Sequence, residues 1–82
     1  MNYKSEYSKR ARKEFFDSWY WYEEQQLFLG DEFKKAIDEQ IALIEKYPER
    51  FPERRKYFRE SKVKVFPFLV IYRVIKKKKN YH

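Results

Sequence analysis

The chain has no cysteine, one glycine, three prolines and one histidine among its 82 residues. Without thiols, neither a disulfide framework nor a thiolate metal site can form. A single glycine excludes a Gly-rich phosphate loop, and no metal-ligand spacing or nucleophile–base motif is present. No stretch approaches the roughly 18 apolar residues of a membrane span, and the opening MNYKSEYSKR lacks the apolar run of a signal peptide. There are no internal repeats. The expectation is a soluble, cytoplasmic protein with no cofactor, no metal and no membrane partner.

What is present is aromatic and basic. At 10.5 kDa the chain is expected to form one domain spanning residues 1–82, near the lower limit of what a single core can stabilise. Aromatic residues make up 22% of it, and each buried ring removes about 150–250 Å² from water, which compensates for the modest length. The formal net charge of +7 is unevenly distributed: +2 over residues 1–22, −4 over 23–47 and +9 over 48–82. Such asymmetry suggests an acidic partner, either nucleic acid or an acidic protein segment.

Asn2 to Tyr7 alternate with the period of a half-exposed strand. Ser8 can cap a helix whose apolar face is Ala11, Phe15, Trp19 and Tyr22, broadened by Phe16 and Tyr20. Gln25 to Gly30 interrupt this pattern, and Asp31 is the expected cap of a second helix carrying Phe33, Ala36, Ile37, Gln40, Ile41 and Ile44 on one face. Pro48 stops that helix after Tyr47, and Pro52 keeps Pro48 to Arg55 in a loop. Beyond it, period 3.6 gives way to period 2: Lys56 to Val65 and Phe68 to Lys76 read as an antiparallel hairpin with Pro67 at its connection. The expected fold is therefore α+β, an N-terminal strand, a helical hairpin and an antiparallel β-hairpin, with one small antiparallel sheet packed on two helices. The expected core is Phe15, Trp19, Tyr22, Phe33, Ile37, Ile41, Ile44, Val63, Val65, Val70 and Tyr72.

The pieces YKSEYSKRARKEF, WYEEQ, LGDEFKKAIDEQIALIEKYPERFP and FRESKVKVFPFLVIYRV, in this order and spacing, resemble the RelE/ParE toxins of type II toxin–antitoxin systems, often described as plasmid stabilisation systems. That resemblance implies a small toxin held silent by a cognate antitoxin. RelE-like members cleave mRNA on the ribosome with Lys and Arg residues of the sheet; ParE-like members keep the fold and poison DNA gyrase. Leu69 stands where the ribonucleolytic members carry a phosphate-binding arginine, which favours the ParE-like branch, with a RelE-like endoribonuclease as the alternative and a non-toxic nucleic-acid-binding or interaction module as the alternative of another class. Arg59 looks like the arginine common to the family, and Lys62 and Lys64 fall near its catalytic lysines.

Metal-free RNA cleavage needs a base, cations for the phosphate and a donor for the leaving oxygen. The weak candidates are Arg59, Lys62, Lys64, Arg73 and Tyr72. Alternation sets Lys62 and Lys64 opposite Arg59, so a solvated strand face is the better account of the lysines. Arg59 is expected either to meet a partner or to bridge a helix carboxylate. His82, the sole histidine, is a poor general base because nothing orients it, and Lys76 to Lys79 read more readily as a solvated block than as a phosphate track. One helix face cannot bury all of Trp19, Tyr20, Trp21 and Tyr22. Tyr20 and Trp21 are therefore candidate partner anchors, together with Arg59, Leu69 and Ile71. Relatives continue into a final strand that has no counterpart before His82. The apolar edge of Phe68 to Ile75 is accordingly expected to pair with another chain, an antitoxin segment or a second copy in a homodimer.

Overall fold

A computed structural model describes residues 4–75. Helix α1 spans Lys9–Gln25 and helix α2 Leu29–Lys46. They are followed by strands β1 (Glu53–Arg55), β2 (Phe58–Lys62) and β3 (Leu69–Tyr72) in one antiparallel sheet of order β1-β2-β3. Two helices followed by a three-stranded antiparallel sheet make the α+β class that the periodicity switch indicates.

Ser8 caps α1 as expected: its backbone is extended and its hydroxyl accepts from the Ala11 amide at 3.0 Å, satisfying one of the free donors of the first turn. The second helix starts differently. It begins at Leu29, two residues before Asp31, after Phe28 in the left-handed conformation (φ 70°). The capping group comes from the preceding helix, where the Glu23 carboxylate accepts from the amides of Phe28 and Gly30, each at 2.9 Å. Asp31 and Glu32 lie in the first turn instead, where negative charge complements the positive end of the helix dipole. Gly30 is required by close approach, since a Cβ there would stand 2.9 Å from the Trp19 carbonyl oxygen.

No N-terminal strand is seen among the described residues. Residues 4–8 have no regular structure, and Asn2 and Tyr3 lie outside the described residues. The Ser5 amide and hydroxyl donate to the Glu45 carboxylate of α2, at 3.1 and 2.6 Å. This segment is thus tied to a helix by a side chain and does not supply ladder hydrogen bonds. The third strand is instead β1, formed from residues assigned to the loop after Pro52. It pairs with β2 across a turn in which Tyr57 takes a positive φ of 72°.

The hairpin of β2 and β3 is real but shorter than its apolar run, with Arg59 opposite Tyr72, Glu60 opposite Ile71, Ser61 opposite Val70 and Lys62 opposite Leu69. Val65, an expected core residue, is 95% exposed with φ 74°. The chain reverses there, and Phe66 and Phe68 occupy the core side in its place. Pro67 sits in this connection, and the Val63 amide closes it by donating to the Phe68 carbonyl at 3.0 Å.

The core centres on Phe33, which is fully buried. Four rings surround it, with centroids 5.6 Å (Phe15), 5.0 Å (Tyr22), 5.3 Å (Phe66) and 5.1 Å (Phe68) away. Ile37, Ile44 and Val63 are buried as expected, while Trp19, Ile41 and Val70 pack partly buried at the margin. One polar link crosses from helix to sheet: buried Gln40 donates through its amide to the buried Ser61 hydroxyl.

Phe33→Ala is expected to cost about 3–5 kcal/mol of unfolding free energy, because the surrounding rings cannot collapse into the space. Val65→Gly is expected to be neutral or stabilising by up to about 1 kcal/mol, since only strain is removed there. Urea denaturation of both variants decides; a large loss at Val65 would return it to the core.

Candidate functional site

Strand alternation divides the sheet into two faces with different chemistry. Arg59, Ser61 and Val63, with Val70 and Tyr72 opposite, are buried or half-buried on the face towards the helices. Glu60 and Lys62, with Leu69 and Ile71 opposite, make the other face, where Leu69 is 45% and Ile71 62% exposed. Lys64 and Arg73, beyond the ends of β2 and β3, are exposed as well.

On the inner face, cross-strand neighbours Arg59 and Tyr72 hold the turn after α2. Arg59 donates through Nη1 to the carbonyls of Phe51 (2.6 Å) and Glu49 (3.2 Å), and Tyr72 donates its hydroxyl to the Pro48 carbonyl (2.5 Å). The Phe51 ring stands edge-on to that of Tyr72, with centroids 6.5 Å apart. Arg59 therefore binds main-chain oxygens of its own chain, where a salt bridge to a helix carboxylate was the alternative weighed from the sequence. Burial raises the Tyr72 pKa from its ordinary value, and the charge of Arg59 partly offsets this. The phenol is thereby favoured in its neutral, hydrogen-donating form.

The structure thus divides the weak candidates for RNA cleavage between the two faces of the sheet, while keeping Arg59 and Tyr72 together as cross-strand neighbours. Arg59 and Tyr72 point inwards, whereas Lys62 lies on the outer face. The second helical region of interest is α1, whose outer side exposes Phe16 (61%), Tyr20 (53%) and Trp21 (57%), while Trp19 and Tyr22 pack inwards. Sequence reasoning did not single out the end of the β2–β3 hairpin, where Val65, Phe66, Pro67 and Phe68 join Lys62 and Leu69 around an open cleft of about 510 Å³. The available signal was the Phe66-Pro67-Phe68 triplet, two rings flanking a residue that cannot join a ladder. Among the described residues no group of three or more His, Cys, Asp or Glu side chains could hold a metal ion, and no helix is long and apolar enough to cross a membrane. His82 and Lys76 to Lys79 lie outside the described residues.

Two helices leading into an antiparallel sheet, with a basic arginine clamp and an exposed apolar outer face, can now be set beside known families. The family model described as the ParE toxin of the type II toxin-antitoxin system, parDE, matches residues 6–80. The chain belongs to the ParE toxin family. No curated protein and no solved structure matches it significantly. The ParE assignment makes this chain the toxin of a two-part system whose other part is an antitoxin. In this ParE chain Leu69 is an exposed apolar side chain paired with Lys62.

The raised pKa of Tyr72 carries a pH dependence of known sign. A folded-state pKa above the unfolded value of about 10 means that the folded state holds the proton more tightly; the contribution is complete below pH 10 and is lost as pH rises through the folded pKa. Tyr72→Phe is expected to be less stable than the parent at neutral pH by about 1 kcal/mol, with the gap narrowing above pH 10. Chemical denaturation at pH 7, 10 and 11 measures this; a gap that widens with pH would contradict the assignment.

Proposed function

We propose that this ParE-family chain acts by occupying a surface of a macromolecular target such as DNA gyrase, without cleaving RNA, and that a cognate antitoxin neutralises it in the cytoplasm. The observation that carries this reading is the outer face of the β2–β3 hairpin, where Leu69 and Ile71 stand exposed with Lys62 beside them and Arg73 beyond. Apolar side chains rimmed by cations suit a protein surface with an acidic margin. Cleavage of RNA calls for cations and a base converging on one phosphate. Here Arg59 donates to main-chain carbonyls on the opposite face, and the Tyr72 hydroxyl beside it donates to the Pro48 carbonyl.

The excess positive charge of residues 48–82 supports the same reading, since it would steer the sheet end towards an acidic target or antitoxin segment. The purified chain is expected to inhibit gyrase supercoiling at micromolar concentration or below, and to leave cell-free translation intact. Supercoiling should return to its control value when the antitoxin is added. Arrested translation with cleaved mRNA, and unaffected supercoiling, would favour the ribonuclease reading instead.

A further inference from the structure

The outer side of α1 is not accounted for by the fold or by the sheet surface. Residues 13, 16, 17, 20, 21 and 24 recur at i, i+3, i+4, i+7, i+8 and i+11, a second helical stripe on the side opposite Phe15, Trp19 and Tyr22. Phe16, Tyr20 and Trp21 are each more than half exposed, and with Asp17 and Glu24 they line a shallow depression of about 410 Å³. Three large rings left outside, next to charges of both signs, form a surface suited to a helix.

The order of the charges selects the occupant. At 100° per residue, Lys13 and Glu24 lie along the middle of the stripe, Phe16 and Tyr20 along one side, and Asp17 and Trp21 along the other. A two-fold axis running beside the stripe, perpendicular to α1 and level with the midpoint between residues 18 and 19, brings a second α1 antiparallel to the first. Lys13 then meets Glu24 of the other copy, Phe16 meets Tyr20, and the Asp17 carboxylate meets the Trp21 indole, whose N–H is a donor. Each of the six side chains finds a partner of complementary chemistry, and each contact occurs twice. Within one chain Lys13 already pairs with Asp17 at 2.8 Å, so the cation is held on the stripe. We propose that the outer face of α1 is a self-association surface, on which a second copy of this chain docks as an antiparallel helix pair.

The 17-residue helix offers a contact about 25 Å long, which places the interface in the small, transient class below about 1,200 Å². A concentration-dependent dimer with a dissociation constant of about 10–500 µM is expected. The surface is separate from the edge of β3, so the two modes of association are distinguishable.

The test is sedimentation equilibrium of the full chain, with circular dichroism confirming the fold of each variant. Trp21→Ala is expected to abolish the dimer. Lys13→Glu turns two attractive pairs into two repulsive ones and should raise the dissociation constant about tenfold or more, and so should Glu24→Lys. The double variant Lys13→Glu, Glu24→Lys should return to within about threefold of the parent. Ile71→Lys, on the sheet, should leave association unchanged. A parent that stays monomeric at about 1 mM, a dimer lost in Ile71→Lys and retained in Trp21→Ala, or a double variant no better than the single ones would each overturn the proposal.

Discussion

The aromatic cluster around Phe33 is the constraint on which the rest of the domain depends. Phe33 belongs to α2, Phe15 and Tyr22 to α1, and Phe66 and Phe68 to the connection between β2 and β3. One buried side chain therefore joins three parts of the chain that are distant in sequence. Edge-to-face ring pairs add about 0.5–1.5 kcal/mol each beyond the area they bury. In a small domain with few aliphatic core residues, that contribution offsets the shortage of buried surface. The geometry also explains the turn at Val65: placing rings on both sides of Pro67 against Phe33 forces the backbone through a positive φ, and Val65 is left outside.

Because the rings seal the helix side of the sheet near Val63, the inner ends of β2 and β3 can serve another purpose. Arg59 and Tyr72 donate to the carbonyls at residues 48, 49 and 51, in the turn that follows α2. A guanidinium suits this role because one of its nitrogens, Nη1, carries two N–H groups and donates to both the Glu49 and Phe51 oxygens. With its strongest cation used internally, the sheet keeps an outer face of mixed apolar and basic character. The fold thus uses the inner face to hold the chain together and leaves the outer face open, as the proposed target contact requires.

The helical hairpin was legible because its signals are local. The Phe33, Ile37, Ile44 stripe and the Ser8 cap depend on residues within one or two turns of each other. The start of α2 was not legible, since the group that caps it, Glu23, lies on another helix and is indistinguishable from its neighbour Glu24 in sequence. The alternation of residues 2–7 suggested a strand, but two-residue periodicity says nothing about whether a neighbouring strand exists, and Glu45 takes the Ser5 amide. Strand β1 escaped notice because Glu-Arg-Arg has no β-prone residue and exists through its pairing with β2. At the candidate site, the opposition of Arg59 and Lys62 followed from alternation alone, and the exposure of Tyr20 and Trp21 followed from crowding. The engagement of Arg59 with main-chain carbonyls could not follow, because it requires knowing how the turn after α2 folds back over the sheet.

The central claim is that the two faces of the sheet have separate duties, the inner one structural and the outer one directed at the target. The most direct measurement pairs growth arrest on induced expression with the melting temperature of three single variants. Ile71→Asp is expected to abolish arrest with the melting temperature within about 2 °C of the parent. Arg59→Lys and Tyr72→Phe are expected to lower the melting temperature by about 4–8 °C for each kcal/mol lost while arrest persists wherever the chain stays folded. Loss of arrest in Arg59→Lys with an unchanged melting temperature, together with full arrest in Ile71→Asp, would place the active groups on the inner face and contradict the account.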